Sequence, residues 1–513
     1  MLTRIGDFMK KNDIYEITIE DIGNDGEGIG RIEGMAVFVK DTVMGDVAKV
    51  KIIKVKKNYA YGKLEELIKP SPFRVEPICA NARRCGGCAI MHMSYDKQLD
   101  YKWNKVKNCL ERIGGLTDVA SIMEPVYGME KPYNYRNKMQ FPVGLDKDGK
   151  VQIGFYAGRT HSIIDLECCH IGHLVNDYLV KHLRGWLQKW QDKTGKFIYD
   201  EEKHQGLVRH ILTRVGFTTG ELMVCVVVNG DSLDIDADND TSMVDKELEV
   251  AVKQAVKEYN LNQAYATKDY FLEIKSTSLS ININKDKTNR ILGDKCVTLY
   301  GQDYISDYIG DIKFNISPMS FYQVNPIQTK VLYDKAVEFA GLTGQEVVWD
   351  MYCGIGTISL CLAKKAKKVY GVEIVSQAIE DAKENAKINE IDNTEFFCGK
   401  AEEVVPEFYK GALDKNVLMC DGAGVDDGDS GKHPDVIVVD PPRKGCDSVL
   451  LDTIDEMAPR RLVYVSCDPA TLARDVKILV EKGFEVEKVA VVDQFGHSGH
   501  VETCVLLSKP SGA

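Results

Sequence analysis

Cys467 stands where an apolar run, "RRLVYVSC", meets an Asp-Pro that no strand continues, and a helix-forming run follows. Open α/β sheets place their chemistry at such strand ends. A helix start beyond the cysteine is expected to lower its pKa and favour the thiolate. Further on, "FGHSGHVETCVLL" brings a carboxylate, Glu502, into an apolar strand where it is otherwise awkward, with His500 beside it as a second candidate base. A thiolate and a base suit alkylation at a carbon without a useful lone pair, such as carbon 5 of uracil. Addition of sulfur to carbon 6 makes an enolate that is nucleophilic at carbon 5. That carbon takes a methyl group, the base removes its proton, and the cysteine is eliminated.

The elements around these residues read as one parallel sheet. "VVWDMYCGIGTISLCLA" is strand, tight turn and helix, with Asp350 ending the strand and Gly354 and Gly356 allowing a ligand close to the backbone. "KVYGVEI" follows and ends on Glu373, at the distance expected of an acid gripping a ribose hydroxyl. The turn D-x-x-C-G-x-G differs from the dinucleotide fingerprint and resembles motif I of class I S-adenosylmethionine methyltransferases. "DVIVVDPPRKG" adds a third strand end, where Asp440 precedes two prolines that fix a rigid loop without N–H donors and an Arg443 able to pair with an anion. Apolar strands alternating with helices from about residue 324 imply a doubly wound sheet.

"CANARRCGGC" spaces Cys79, Cys85 and Cys88 as C-x5-C-x2-C, and "DLECCHIG" offers Cys168 or Cys169 as a fourth ligand. Four thiolates suit zinc or an iron–sulfur cluster, and the spacing leaves both open.

At 513 residues the chain is too long for one core. Residues 13–68 read as short strands with glycine turns, a small barrel. "IKPSPFRVEP" reads as a linker, and strand patterns dominate from about 130 to 310. No segment has the form of a signal peptide or is apolar enough to span a bilayer, so a cytoplasmic protein without a membrane partner is expected. Fifteen cysteines in that compartment are expected as thiols rather than disulfides. The net charge of −12 argues mildly against nucleic acid, but local patches decide. Much of the acid lies in 229–247 and 420–435, which read as surface insertions, whereas "KVKIIKVKKNYAYGK" is basic with interleaved tyrosines.

"FYQVN", "DMYCGIGTISL", "GVEI", "DPPRKG", "YVSCDPATLARD" and "GHVET" occur in the order found in bacterial RNA (uracil-5-)-methyltransferases, which the chain resembles densely over its C-terminal third. The resemblance implies that Gln323, Tyr352, Glu373 and Asp440 contact S-adenosylmethionine, that Cys467 is the nucleophile and Glu502 the base. It favours a [4Fe-4S] cluster on Cys79, Cys85, Cys88 and Cys169, the last because the family's fourth cysteine precedes x-Ile. The barrel resembles a TRAM domain, an OB-like RNA-binding module. The family's transfer-RNA enzymes typically lack both barrel and cluster, so the resemblance points to 23S ribosomal RNA. Two departures stand out: Asp468 replaces the usual asparagine after the nucleophile, and Gly496 follows Phe495 where the family usually has proline.

The expected architecture is multidomain α/β: residues 1–70 an OB-like TRAM barrel, 71–310 a mixed α+β central domain carrying the cluster, and 311–513 a Rossmann-like class I methyltransferase. The expected partner is RNA and the expected state a monomer. Rival readings are a transfer-RNA uridine methyltransferase, a methyltransferase for nitrogen or a small molecule, which would tolerate loss of Cys467, and a non-catalytic ribosome-assembly factor.

Overall fold

Alternating apolar residues close the first strands into a barrel. The computed structural model describes residues 9–158, 160–233, 241–263, 272–409 and 433–510. Strands Ile14–Ile22, Gly28–Ile32, Met35–Val39, Val47–Val55 and Tyr59–Lys69 form a closed five-stranded barrel. Ile17, Ile19, Val37, Val39, Val50 and Ile52 fill it. Gly62 is required by this packing, because a Cβ there would lie 2.2 Å from Val50 Cγ1. On the barrel's outer side Phe38, Tyr59 and Tyr61 form an aromatic group, with ring centroids 5.5–6.0 Å apart.

Residues 138–300 build a seven-stranded sheet in the order Lys295–Tyr300, Ser276–Ile283, Glu221–Val228, Val208–Val215, Lys138–Leu145, Val151–Tyr156, Ile163–Asp165. Its neighbours are antiparallel except for Glu221–Val228 with Ser276–Ile283. Helices Val175–Thr194 and Thr241–Gln263 cover one face. Strands outnumber helices in this stretch, as expected, and the two long helices make the region a mixed α and β layer. Leu179, Leu183, Trp186, Leu187 and Trp190 form the buried stripe of the first helix, at three- and four-residue spacing. Leu212, Met223 and Cys225 of the opposite face pack into the core of the C-terminal sheet.

The C-terminal sheet runs Thr394–Cys398, Lys368–Glu373, Val347–Met351, Val436–Val439, Arg461–Ser466, Glu502–Ser508, Glu485–Val492. The first five strands are parallel and the last two pairings antiparallel. The chain reverses direction across the sheet between Val347–Met351 and Val436–Val439, which opens a crevice at the carboxyl ends of the strands. Helix Tyr95–Arg112 belongs to this layer in space: Val106 and Leu110 are buried with Leu472, Val489 and Val501. Of the acidic stretches at 229–247 and 420–435, residues 234–240 and 420–432 lie outside the described residues. Among the described residues no helix is long and apolar enough to cross a membrane.

Candidate active site and thiol cavity

Five strand ends meet at one edge of the C-terminal sheet. On the first, Asp350 is fully buried and accepts a 2.5 Å hydrogen bond from Ser359 Oγ, while its Oδ1 has no protein partner. Burial, reinforced by Glu373, pushes its carboxyl up to about 7. Tyr352, the next residue but one, has φ +77°, a left-handed conformation that costs a non-glycine residue roughly 1–2 kcal/mol. The strained turn is laced to the neighbouring strand, because Tyr352 N and Cys353 N both donate to Val372 O at 2.9 and 3.0 Å. Gly354 has φ +55° and open space where a Cβ would project. Its N–H donates to Glu373 Oε2 at 3.2 Å, and Val375 N donates to Oε1 at 2.9 Å. A ligand lying on this turn therefore meets backbone and a fixed carboxylate with no side chain between them.

Asp440 ends the neighbouring strand. Burial first, then Asp350, raises it to about 7. Gln323 is buried, and its carbonyl accepts from Asn137 Nδ2 at 3.0 Å, which ties the "FYQVN" segment to the central sheet. Asn325 of the same segment caps helix Pro326–Ala340. Phe321 is 70% exposed beside them and offers a bare ring face.

Cys467 follows strand Arg461–Ser466 and is half-buried. Asp468 caps helix Pro469–Glu481, accepting from Ala470 N at 3.0 Å and Thr471 N at 3.1 Å. These contacts need only an acceptor oxygen, so aspartate serves where the family usually has asparagine. The expectation of a lowered thiol pKa is overturned. Burial, together with Glu502 and Asp440, pushes Cys467 up to about 11, and Arg443 opposes them only in part. Desolvation and three carboxylates, Glu502, Asp440 and Asp468, outweigh the helix start. Glu502 opens its strand, is 3% exposed, and is held well above the ordinary carboxyl range by burial and by Asp440. His500, the other candidate base, is exposed.

The loop before Glu502 carries residues that the sequence did not single out. Asp493 and Lys102 are both fully buried and form an ion pair, and Lys102 Nζ also donates to Phe495 O at 2.9 Å. Nothing local marks Lys102, which lies in an ordinary amphipathic helix pattern.

Cys79, Cys85, Cys88, Cys168 and Cys169 line one cavity of about 250 Å³, with Arg136, Phe155 and Tyr156 in its wall. Burial raises Cys88, and Cys169, Cys85 and Cys79 add to this, so these four thiols lie within electrostatic reach of one another. Cys169 is raised to about 11, chiefly by burial. Cys168 is exposed, with Sγ 3.7 Å from His170 Nε2. Among the described residues no three His, Cys, Asp or Glu side chains are gathered as ligands of a single metal ion. The donor set fits a group that accepts thiolates. Arg136 Nε, buried in the wall without a partner, fits one that carries acceptors.

A family model described as tRNA (Uracil-5-)-methyltransferase matches residues 240–510, and a TRAM domain model matches 10–64. An "uncharacterized RNA methyltransferase" of Clostridium tetani (strain Massachusetts / E88) is 47% identical over 500 residues, covering 98% of this chain and 97% of that protein. One of Bacillus cereus (strain ATCC 10987 / NRS 248) is 45% identical over 509 residues, covering 99% of each. The crystal structure of Pyrococcus abyssi tRNA (uracil-54, C5)-methyltransferase in complex with S-adenosyl-L-homocysteine superposes with a TM-score of 0.68 at 26% identity. It covers 96% of this chain and 100% of that one.

Proposed function

The chain belongs to the tRNA (uracil-5-)-methyltransferase family, and on that footing we propose that it methylates carbon 5 of uridine in RNA, with 23S ribosomal RNA as substrate. The observation that carries the chemistry is a thiol and a buried carboxyl at one sheet edge, the carboxylate raising the thiol's pKa.

S-adenosylmethionine supplies the methyl group and brings a positive sulfonium. Asp350, Asp440 and Glu373 make the crevice electronegative, and the orphaned Asp350 Oδ1 and the open side of Gly354 give a polar ligand places to settle. Gln323, Tyr352, Glu373 and Asp440 would hold it. A positive charge bound near Asp440 offsets the carboxylates that hold the Cys467 thiol up, so donor binding favours the thiolate. Once formed, a high-pKa thiolate is strongly nucleophilic. Cys467 adds to carbon 6, and the electron pair moves to carbon 5 and the carbonyl oxygen. Carbon 5 gains the methyl group as the methyl–sulfonium bond breaks to leave S-adenosylhomocysteine, Glu502 takes the carbon-5 proton, and the bond from carbon 6 to Cys467 breaks to return the thiolate. A buried carboxylate with a raised pKa is the stronger base for that step. The target uridine leaves any stack to reach the crevice, where Phe321 offers a ring to stack on.

Cys79, Cys85, Cys88 and Cys169 are read as the ligands of a [4Fe-4S] cluster, a cationic core that would relieve the mutual repulsion of four thiolates. Its role is structural, since methylation consumes no electron. The barrel with its aromatic group beside basic strands is read as an RNA surface.

The thiol cavity supports the ribosomal substrate; the barrel does not discriminate, because the Pyrococcus abyssi transfer-RNA enzyme matches 96% of this chain. A transfer-RNA substrate is the second reading, favoured by the Pyrococcus abyssi tRNA (uracil-54, C5)-methyltransferase, which matches this chain over nearly its whole length. Mass mapping of 5-methyluridine in 23S and transfer RNA from cells lacking the protein separates them. A 5-methyluridine missing only from 23S RNA is expected. Loss only from transfer RNA selects the second reading, and no loss in either rejects both.

A further inference from the structure

Helix Tyr95–Arg112 grips two structures that the sequence keeps far apart. Tyr101 Oη donates to Gly23 O at 2.9 Å and Asn24 O at 3.0 Å, in the turn between the first two barrel strands. Lys105 Nζ donates to Asn24 O at 2.9 Å and also to Gly499 O at 2.8 Å, in the loop that leads into Glu502. One turn back, Lys102 holds Asp493 and Phe495 O, and Tyr95 Oη donates to Asp493 Oδ2 at 2.6 Å. Gln98 Oε1 accepts from His497 N at 3.0 Å. Tyr95, Gln98, Lys102 and Lys105 are spaced to share one helix face. Barrel turn and loop also touch directly: a Cβ on Gly499 would lie 3.1 Å from Asn24 O and 3.3 Å from Tyr101 Oη.

This is more fastening than a connection needs. Antiparallel neighbours are usually joined by about 2–5 residues. Strands Glu485–Val492 and Glu502–Ser508 are joined by nine, 493–501. The loop holds a buried ion pair, a device that contributes little net stability but sets register. It also holds buried His497 at φ +65°, a local cost of the kind that gathers at functional sites.

We propose that Lys105, assisted by Tyr101 and Lys102, is a positioning residue through which the seated barrel turn fixes loop 493–501 and hence the Glu502 carboxyl. Proton abstraction, not nucleophile addition or methyl transfer, then depends on the barrel's position. The inference rests on Glu502 being the base.

The test uses full-length Lys105→Met, which keeps the aliphatic stem and removes the donor, and Tyr101→Phe, which loosens only the barrel side. The probe is RNA from cells lacking the protein, carrying tritium at carbon 5 of its uridines, with methyl-labelled S-adenosylmethionine in single turnover. Methyl incorporation into a denaturation-stable protein–RNA adduct should keep the wild-type rate in both variants. Tritium release should slow by roughly 10–100-fold in Lys105→Met, as for a displaced rather than missing group, and less in Tyr101→Phe. Parallel loss of both signals, or no change in either, overturns the coupling. Glu502→Gln serves as reference: a stalled methylated adduct keeps the base assignment, and with it a negative result for Lys105→Met counts against the coupling alone. Normal tritium release from Glu502→Gln overturns the base assignment and the coupling with it.

Discussion

Ser466 lies opposite Thr503 in the antiparallel ladder, so Cys467 and Glu502 leave the same edge of the sheet on the next rung, and the Glu502 carboxylate holds the Cys467 thiol up. In the free enzyme little thiolate exists near neutrality. Alkylation of Cys467 by iodoacetamide, followed by peptide mass mapping, should rise about tenfold per pH unit toward about 11. Glu502→Gln removes a negative charge, lowers the thiol pKa and should speed alkylation at pH values where Glu502 is ionised. Arg443→Met removes a positive charge and should slow it. The reverse order would contradict the electrostatics.

RNA carrying 5-fluorouridine at the target should form a denaturation-stable adduct with the enzyme, because fluorine cannot leave as a proton. Cys467→Ala should form none. Adduct formation by that variant would remove Cys467 from the reaction.

Asp440→Asn takes one charge from the carboxyl group around the crevice. It should weaken S-adenosylmethionine, which is cationic at sulfur, more than the neutral S-adenosylhomocysteine. A charged partner is worth about 1.5–3 kcal/mol, so titration calorimetry should find roughly a 10–100-fold difference between the two losses. Equal losses would place Asp440 away from the sulfonium.

Protein purified without oxygen should be brown and carry iron with acid-labile sulfide. Cys169→Ser should lose both, whereas Cys168→Ser, altering the exposed neighbour, should keep them. Stoichiometric zinc without sulfide would exclude the cluster.

The barrel and the C-terminal sheet are legible in the sequence because each signal is local: alternation around glycine turns, and apolar runs that stop at Asp350, Glu373, Asp440 and Cys467. The helix Val175–Thr194 is legible only by counting Leu179, Leu183, Trp186, Leu187 and Trp190, since apolar strand patterns flank it. The thiol's upward shift is not legible, because burial and the Glu502 and Asp440 charges arise from elements 27 and 35 residues away from Cys467. Lys102 is silent for the same reason: its partner is 391 residues on.

That separation bears on how the molecule is made. A chain emerging at roughly 5–20 residues per second presents helix Tyr95–Arg112 tens of seconds before Asp493 exists. Val106 and Leu110 lack the core they enter until Leu472 and Val489 have emerged, and the Lys102 ammonium has no carboxylate to meet until Asp493 follows. The barrel can close on its own strands, but the helix waits for the last tenth of the chain. Synthesis stalled or truncated before helix Pro469–Glu481 should therefore leave the apolar face of this amphipathic helix uncovered, a substrate for chaperones or proteases rather than a smaller working enzyme.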